Sequence, residues 1–334
     1  MKRCLFILPL IVRLMFATPV QQFAGIGDLP LDGGGTLENC RIGYRIIGDF
    51  NADSSNVIMY PSWFGGTSGH IWKLIDTHAF LDSGKYCIIA VDALGNGIST
   101  SPSNSETQSG FDFPEIRIAD MARAEYALLR RLGIRELHAV VGGSMGSMQG
   151  FAFVSAYPEM AGKAVLYVCT PRESAYDLLR SAAVRDIIET GEQYGVPPGE
   201  YMKAVNILQT LHGRTPDHYA RNVSPDEVPG LLEKFDRYRP GIFPAENFYC
   251  QSRAISTHDI SRRDGGDMEK TASRIKTELF LIVNRRDHLV HPLPAMEFAK
   301  MRGSRILVLD NGHGHLGITS EIKRVRRAIR RFLR

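Results

Sequence analysis

Short, almost unbroken apolar runs recur along the chain and constrain its fold more than any other feature. They occupy 40–48 (CRIGYRIIG), 56–61 (NVIMYP), 86–92 (YCIIAVD), 137–143 (LHAVVGG), 163–170 (KAVLYVCT), 278–284 (ELFLIVN) and 305–310 (RILVLD). The later runs are apolar at successive positions, which is the pattern of strands covered on both faces. Helical periodicity separates them at 118–132, 145–157, 294–302 and 321–333. Alternation of this kind predicts an α/β fold with a mostly parallel central sheet flanked by helices. From Thr170 to Glu278 the strand signal lapses. Helical stretches such as SAYDLLRSAAVRDIIETG and SPDEVPGLLEKFDRYR fill the gap, broken by Pro and Gly. Because the sheet resumes afterwards, this segment (about 171–277) is expected to be a helical lid inserted into a single domain spanning 25–334. A chain of 334 residues can hold one such domain.

Composition excludes several classes. Hydrophobic residues make up 44% and charged residues 23%, ordinary for a folded protein. Net charge is +4, with much of the excess in the terminal EIKRVRRAIRRFLR. There Ile322, Val325, Ile329, Phe332 and Leu333 form an apolar stripe, so a docked helix with a solvated basic face is expected. No basic patch interleaved with aromatics points to nucleic acid. At the N-terminus Lys2 and Arg3 precede an apolar run, Cys4 to Val12, too short to span a bilayer but suited to a signal peptide. Residues 1–24 therefore read as a signal peptide or an N-terminal extension. The first reading implies a secreted or periplasmic protein and the second a cytoplasmic one. Cysteines 4, 40, 87, 169 and 250 form no C-x-x-C pair, so neither a metal site nor a disulfide framework is expected, and Cys87 and Cys169 read as buried thiols.

The chemistry-bearing motif is Gly142-Gly143-Ser144-Met145-Gly146. It follows the strand LHAVV and opens the helical MGSMQGFAFVSAYP, the strand–turn–helix setting of a nucleophile elbow. Gly142 and Gly146 let strand and helix approach closely, and the helix N-terminus favours negative charge beside the serine. A serine nucleophile needs a base, and the base an orienting acid. Asp287, just past a buried strand, is the favoured acid. Asp310 competes, and His288 and His291 flank Asp287. His313 and His315, in the loop after the next strand, are both candidate bases. For an oxyanion hole, one donor is the amide of Met145. The other comes from the glycine-rich loop SWFGGTSG after strand 56–61 and is assigned to Trp63, with Phe64 as neighbour.

These residues resemble the α/β-hydrolase superfamily and, within it, the homoserine O-acetyltransferase-like branch. The similarity lies in GGSMGSMQ (142–149) and in SWFGGTSG, VDALGNGISTSPSN, ENFYCQSRAISTHDIS and RRDHLVHP, covering most of residues 37–333. The resemblance implies a triad of Ser144, Asp287 and the histidine of a GHL-type loop. Here that loop is Gly314-His315-Leu316, which places His315 ahead of His313. It also implies ping-pong acyl transfer through an acyl-enzyme. Authentic homoserine enzymes carry an aspartate directly after the catalytic histidine; here Leu316 stands there and cannot pair with an ammonium.

The leading expectation is a serine hydrolase acting on an ester-type bond in a small molecule. The alternative is an O-acetyltransferase that uses acetyl-CoA as co-substrate to acylate a hydroxyl metabolite. A non-catalytic binding protein is a remote third. No cofactor is expected. Expected partners are a small-molecule ester or acyl acceptor and a second copy of the chain in a homodimer, with neither nucleic acid nor stable membrane insertion.

Overall fold

The structure is a computed structural model and describes residues 18–236 and 241–334. Eight strands form one sheet: β1 (Gln22–Pro30), β2 (Thr36–Ile47), β3 (Val57–Pro61), β4 (Cys87–Val91), β5 (Leu137–Gly143), β6 (Ala161–Tyr167), β7 (Glu278–Asn284) and β8 (Arg305–Leu309), in the order β1-β2-β4-β3-β5-β6-β7-β8. β1, β2 and β4 pair antiparallel and the remaining neighbours pair parallel. The α/β class and mostly parallel sheet expected from the apolar runs are therefore observed.

Those runs are apolar throughout because alternate side chains enter two different cores. Along β7, Leu279, Leu281 and Val283 join one cluster, while Phe280 and Ile282 join the other. Helices α1 (Ser68–His78) and α12 (Ile322–Leu333) cover the second face. Helices α2 (Ile118–Arg131), α3 (Met145–Ala156) and α10 (Leu293–Arg302) cover the first. The terminal helix docks as expected, burying Val325, Ile329, Phe332 and Leu333. Between β6 and β7 lie α4 (Ala175–Gln193), α5 (Pro198–Gly213), α6 (Pro216–Asn222), α7 (Val228–Asp236), α8 (Ala245–Ser256) and α9 (Met268–Arg274). Val184 and Ile188 of α4, Val205 of α5 and Phe248 of α8 share a small core of their own. A short helix α11 (Gly317–Ser320) precedes α12.

Three details depart from expectation. The sheet begins at Gln22, inside the segment 1–24 assigned to a leader or extension: Gln22, Phe23 and Ala24 pair with Tyr44, Gly43 and Ile42. Register shifts around Gly25 and Gly27 break the two-residue alternation that would have marked this strand. Residues 1–17 of the expected signal peptide or extension lie outside the described residues. Helix α1 begins within the stretch read as a glycine-rich loop. Its cap is a reciprocal pair in which Thr67 Oγ1 accepts the His70 amide and His70 Nδ1 accepts the Thr67 amide, both at 3.2 Å. A histidine stands where such boxes usually carry Glu or Gln, so the start signal was hidden. Strand β6 stops at Tyr167 rather than Thr170, because Val168 takes a positive φ of 42°. Cys40, Cys87, Cys169 and Cys250 are all buried free thiols, and burial pushes each up to about 12.

Candidate active site

Ser144 sits between β5 and α3 with φ 54° and ψ −128°, a conformation that L-residues adopt only under constraint. Its amide donates to the Tyr167 carbonyl at 3.0 Å, and Ser147 returns an amide bond to the Ser144 carbonyl at 2.8 Å. The flanking glycines permit the fit. A Cβ on Gly142 would stand 2.3 Å from the Gly146 carbonyl oxygen, and one on Gly146 would stand 2.5 Å from that of Pro61. Any side chain there would force strand, helix and the Pro61 loop apart.

The loops after β7 and β8 bring two partners to this serine. His315 Nε2 lies 2.9 Å from Ser144 Oγ, and His315 Nδ1 lies 2.7 Å from Asp287 Oδ2. Asp287 Oδ1 accepts the amides of Leu289 at 2.8 Å and Val290 at 3.0 Å. With Nδ1 donating to the carboxylate, Nε2 is left to accept the serine proton. Both His315 and Asp287 are buried, whereas Ser144 is partly open to a cavity.

The competing residues are held elsewhere. Asp310 is exposed and paired with Arg286 at 2.6 Å. Arg214 donates to His313 Nδ1 at 2.9 Å, and the His313 ring packs on His218 with centroids 5.0 Å apart. The His291 amide donates to Asp177.

Trp63 and Phe64 follow β3 and line the cavity together with Ser144 and His315. Met145 opens α3, where the first amides have no intrahelical acceptor. Two glutamines fix the Trp63 loop. Gln149 Nε2 donates to the Ser62 carbonyl at 2.9 Å, and Gln251 Oε1 accepts the Gly65 amide at 2.9 Å. Phe64 stacks edge-on against Phe248 of α8 at 4.7 Å.

Sequence reading missed Asn284, at the end of β7. It is fully buried, and its side-chain amide donates to the Gly314 carbonyl at 2.6 Å and to the Asn311 carbonyl at 3.1 Å. It therefore ties the Asp287 loop to the His315 loop. The one available signal was a polar residue closing an otherwise apolar strand.

The cavity above Ser144 has a volume of about 430 Å³ and is lined mainly by apolar side chains, among them Phe64, Phe80, Tyr167 and Leu316; among the described residues no Asp, Glu, Lys or Arg lines it. Among the described residues no cluster of His, Cys, Asp or Glu could hold a metal ion, and no helix is long and apolar enough to cross a membrane.

Comparison with known proteins agrees with this architecture. Residues 56–180 match the alpha/beta hydrolase fold family. The chain is 31% identical over 313 residues to an ethyl acetate hydrolase of Pseudomonas veronii, covering 89% of each chain. It is 28% identical over 327 residues to a homoserine O-acetyltransferase of Chlorobium chlorochromatii, covering 90% of this chain and 91% of that one. An acetylester hydrolase from Corynebacterium glutamicum superposes with a TM-score of 0.83 at 26% identity, covering 94% of this chain and 95% of that one. Strand order, elbow geometry and these relatives agree: the chain belongs to the α/β-hydrolase family.

Proposed function

We propose that the chain is a serine esterase that hydrolyses an ester-type bond in a small molecule, with a neutral group around the scissile bond, through an acyl-enzyme on Ser144. One observation carries the reading: an unbroken hydrogen-bond chain from Ser144 Oγ through His315 to Asp287 opens into a cavity without charged side chains. In this mechanism Ser144 Oγ attacks the acyl carbonyl while His315 Nε2 takes its proton, and Asp287 holds the ring in the productive tautomer. The amides of Met145 and Trp63 hold the oxyanion, supported by the end of α3. His315 then returns the proton to the departing alcohol. Water, activated by the same histidine, releases the acid and restores the serine. Helices α4 to α9 serve as the lid, with Phe64 and Phe248 joining it to the oxyanion loop.

The homoserine O-acetyltransferase relatives support a second reading, transfer of acetyl from acetyl-CoA to an alcohol. Two features favour hydrolysis. Leu316 stands where those enzymes place an ammonium-binding aspartate, and the cavity has no charged group to receive an amino acid's ammonium and carboxylate. The deciding assay offers p-nitrophenyl acetate and acetyl-CoA, each with and without a panel of alcohols. Alcohol-independent ester hydrolysis is expected. Acetyl-CoA consumption that strictly requires an alcohol would overturn the esterase reading.

A further inference from the structure

A second concavity, of about 440 Å³, runs along one face of α1 and shares Trp63 and Leu74 with the Ser144 cavity. Its remaining lining is His70, Lys73, Thr77 and His78. These positions recur at helical spacing, so a single face of α1 supplies them. The two spaces adjoin at Trp63 and Leu74, yet their chemistry is opposite. The inner cavity is apolar and uncharged, whereas every polar side chain on the α1 face can donate a hydrogen bond and none is a carboxylate.

His70 uses Nδ1 to accept the Thr67 amide, so its Nε2 carries a proton in the neutral ring, and the ring lies nearly parallel to Trp63 at 6.3 Å. Lys73 is exposed and pairs with no carboxylate among the described residues. Asp76, the acidic residue of α1, does not line the groove. At the far end the basic face of α12 closes in, with Arg326 donating to the His78 carbonyl at 3.1 Å and Arg330 to the Ala79 carbonyl at 2.9 Å. The Lys73 ammonium and the donors of His70, Thr77 and His78 thus share this face of α1.

We infer that this groove is an outer subsite that holds an anionic group, a carboxylate borne by the ester at a distance from its scissile bond. The inference rests on the esterase reading and narrows its substrate class. The reacting end of the substrate is neutral and apolar, and the remote end is charged. The inner volume already exceeds what a two-carbon acyl group fills, so a substrate matched to both spaces is an extended one.

Two matched pairs of esters test this. 4-Acetoxybenzoate and its methyl ester place or remove the charge on the alcohol half. p-Nitrophenyl monoglutarate and p-nitrophenyl valerate do the same on the acyl half. For each pair the ratio of kcat/KM, anionic over neutral, is compared between wild type, Lys73→Met and Lys73→Glu, which cancels intrinsic reactivity. For at least one pair the ratio should fall about fivefold in Lys73→Met and about twentyfold in Lys73→Glu, through KM, with p-nitrophenyl acetate turnover unchanged. The pair that responds identifies the half that carries the charge. The wild-type preference should also weaken as salt is raised. Ratios that stay constant in both pairs, or a Lys73→Glu protein that loses charged and neutral esters alike, would overturn the subsite. Binding of intact 4-acetoxybenzoate to Ser144→Ala, followed by ligand-observed NMR, reads the groove without turnover. Charge-dependent binding lost in Ser144→Ala/Lys73→Glu would uphold it even if ester hydrolysis failed, and charge-independent binding would reject it.

Discussion

Two carboxylates are buried in this molecule on opposite terms. Asp287, in the loop after β7, accepts the amides of Leu289 and Val290 on one oxygen and the His315 ring on the other. Glu125, in the middle of α2, is as deeply buried, yet neither of its oxygens has a hydrogen-bond partner. Burial pushes the Glu125 carboxyl well above the usual carboxylate range, with no donor to offset it. A buried ionisable group therefore has two stable outcomes. One is to be supplied with donors and held ready for chemistry, the other to stay protonated and inert. The donors around Asp287 come from loops at the carboxyl ends of β7 and β8, where sheets of this topology form their sites. Glu125 projects from a helix whose own amides are already used.

The sharpest way to break this contrast is to disturb the supplied carboxylate. Asp287→Asn keeps the shape but loses the charge and the tautomer control. Ester turnover should fall roughly a thousandfold or more with little change in melting temperature, as checked by initial rates and calorimetry. His313→Ala, at the competing histidine, should stay within a few-fold of wild type. Asn284→Ala leaves Asp287 and His315 in place but removes the side-chain bonds to the Gly314 and Asn311 carbonyls. A loosened histidine loop should lower kcat about tenfold to a hundredfold, with KM little changed, because acyl contacts in the cavity are untouched.

The smallest effect concerns the unsupplied carboxylate and appears in stability rather than rate. In the unfolded chain Glu125 ionises near its ordinary value of 4.5, whereas in the folded chain it stays protonated to well above that. The unfolded state thus loses its proton first as pH rises. The stability this group contributes at low pH is lost progressively above about 4.5. Glu125→Met removes the penalty with a side chain of similar length. Its melting temperature should exceed wild type by several degrees at pH 8 and by less at pH 4.5, with esterase activity retained. A variant that melts lower at pH 8 would show that Glu125 has a partner in solution.

What was legible in the sequence follows from how local each constraint is. The elbow could be read because its geometry demands glycines at fixed offsets from the serine, and the chain order of Ser144, Asp287 and His315 because each sits just past a recognisable strand. Other features depend on contacts between distant segments. β1 carries no alternation, because its bulges spread the pairing with β2 unevenly. Helix α1 hides behind a His70 cap that resembles no common start signal. Asn284 looks like an ordinary strand end until the His315 loop folds against it. Gln251 reaches the Gly65 amide from helix α8, 186 positions along the chain, a contact that no local pattern announces. The uncharged cavity is likewise a property of the assembled lining, with Leu316 its sole local hint.

Trapping the acyl-enzyme tests the central claim most directly. The protein is mixed with a p-nitrophenyl ester, quenched in acid within the first turnover, digested and examined by mass spectrometry. The account predicts one acyl group, on the peptide that carries Ser144, and none in Ser144→Ala, which should also lose turnover. Ester turnover with no acyl group on that peptide, or a Ser144→Ala protein that hydrolyses the ester at the wild-type rate, would contradict it.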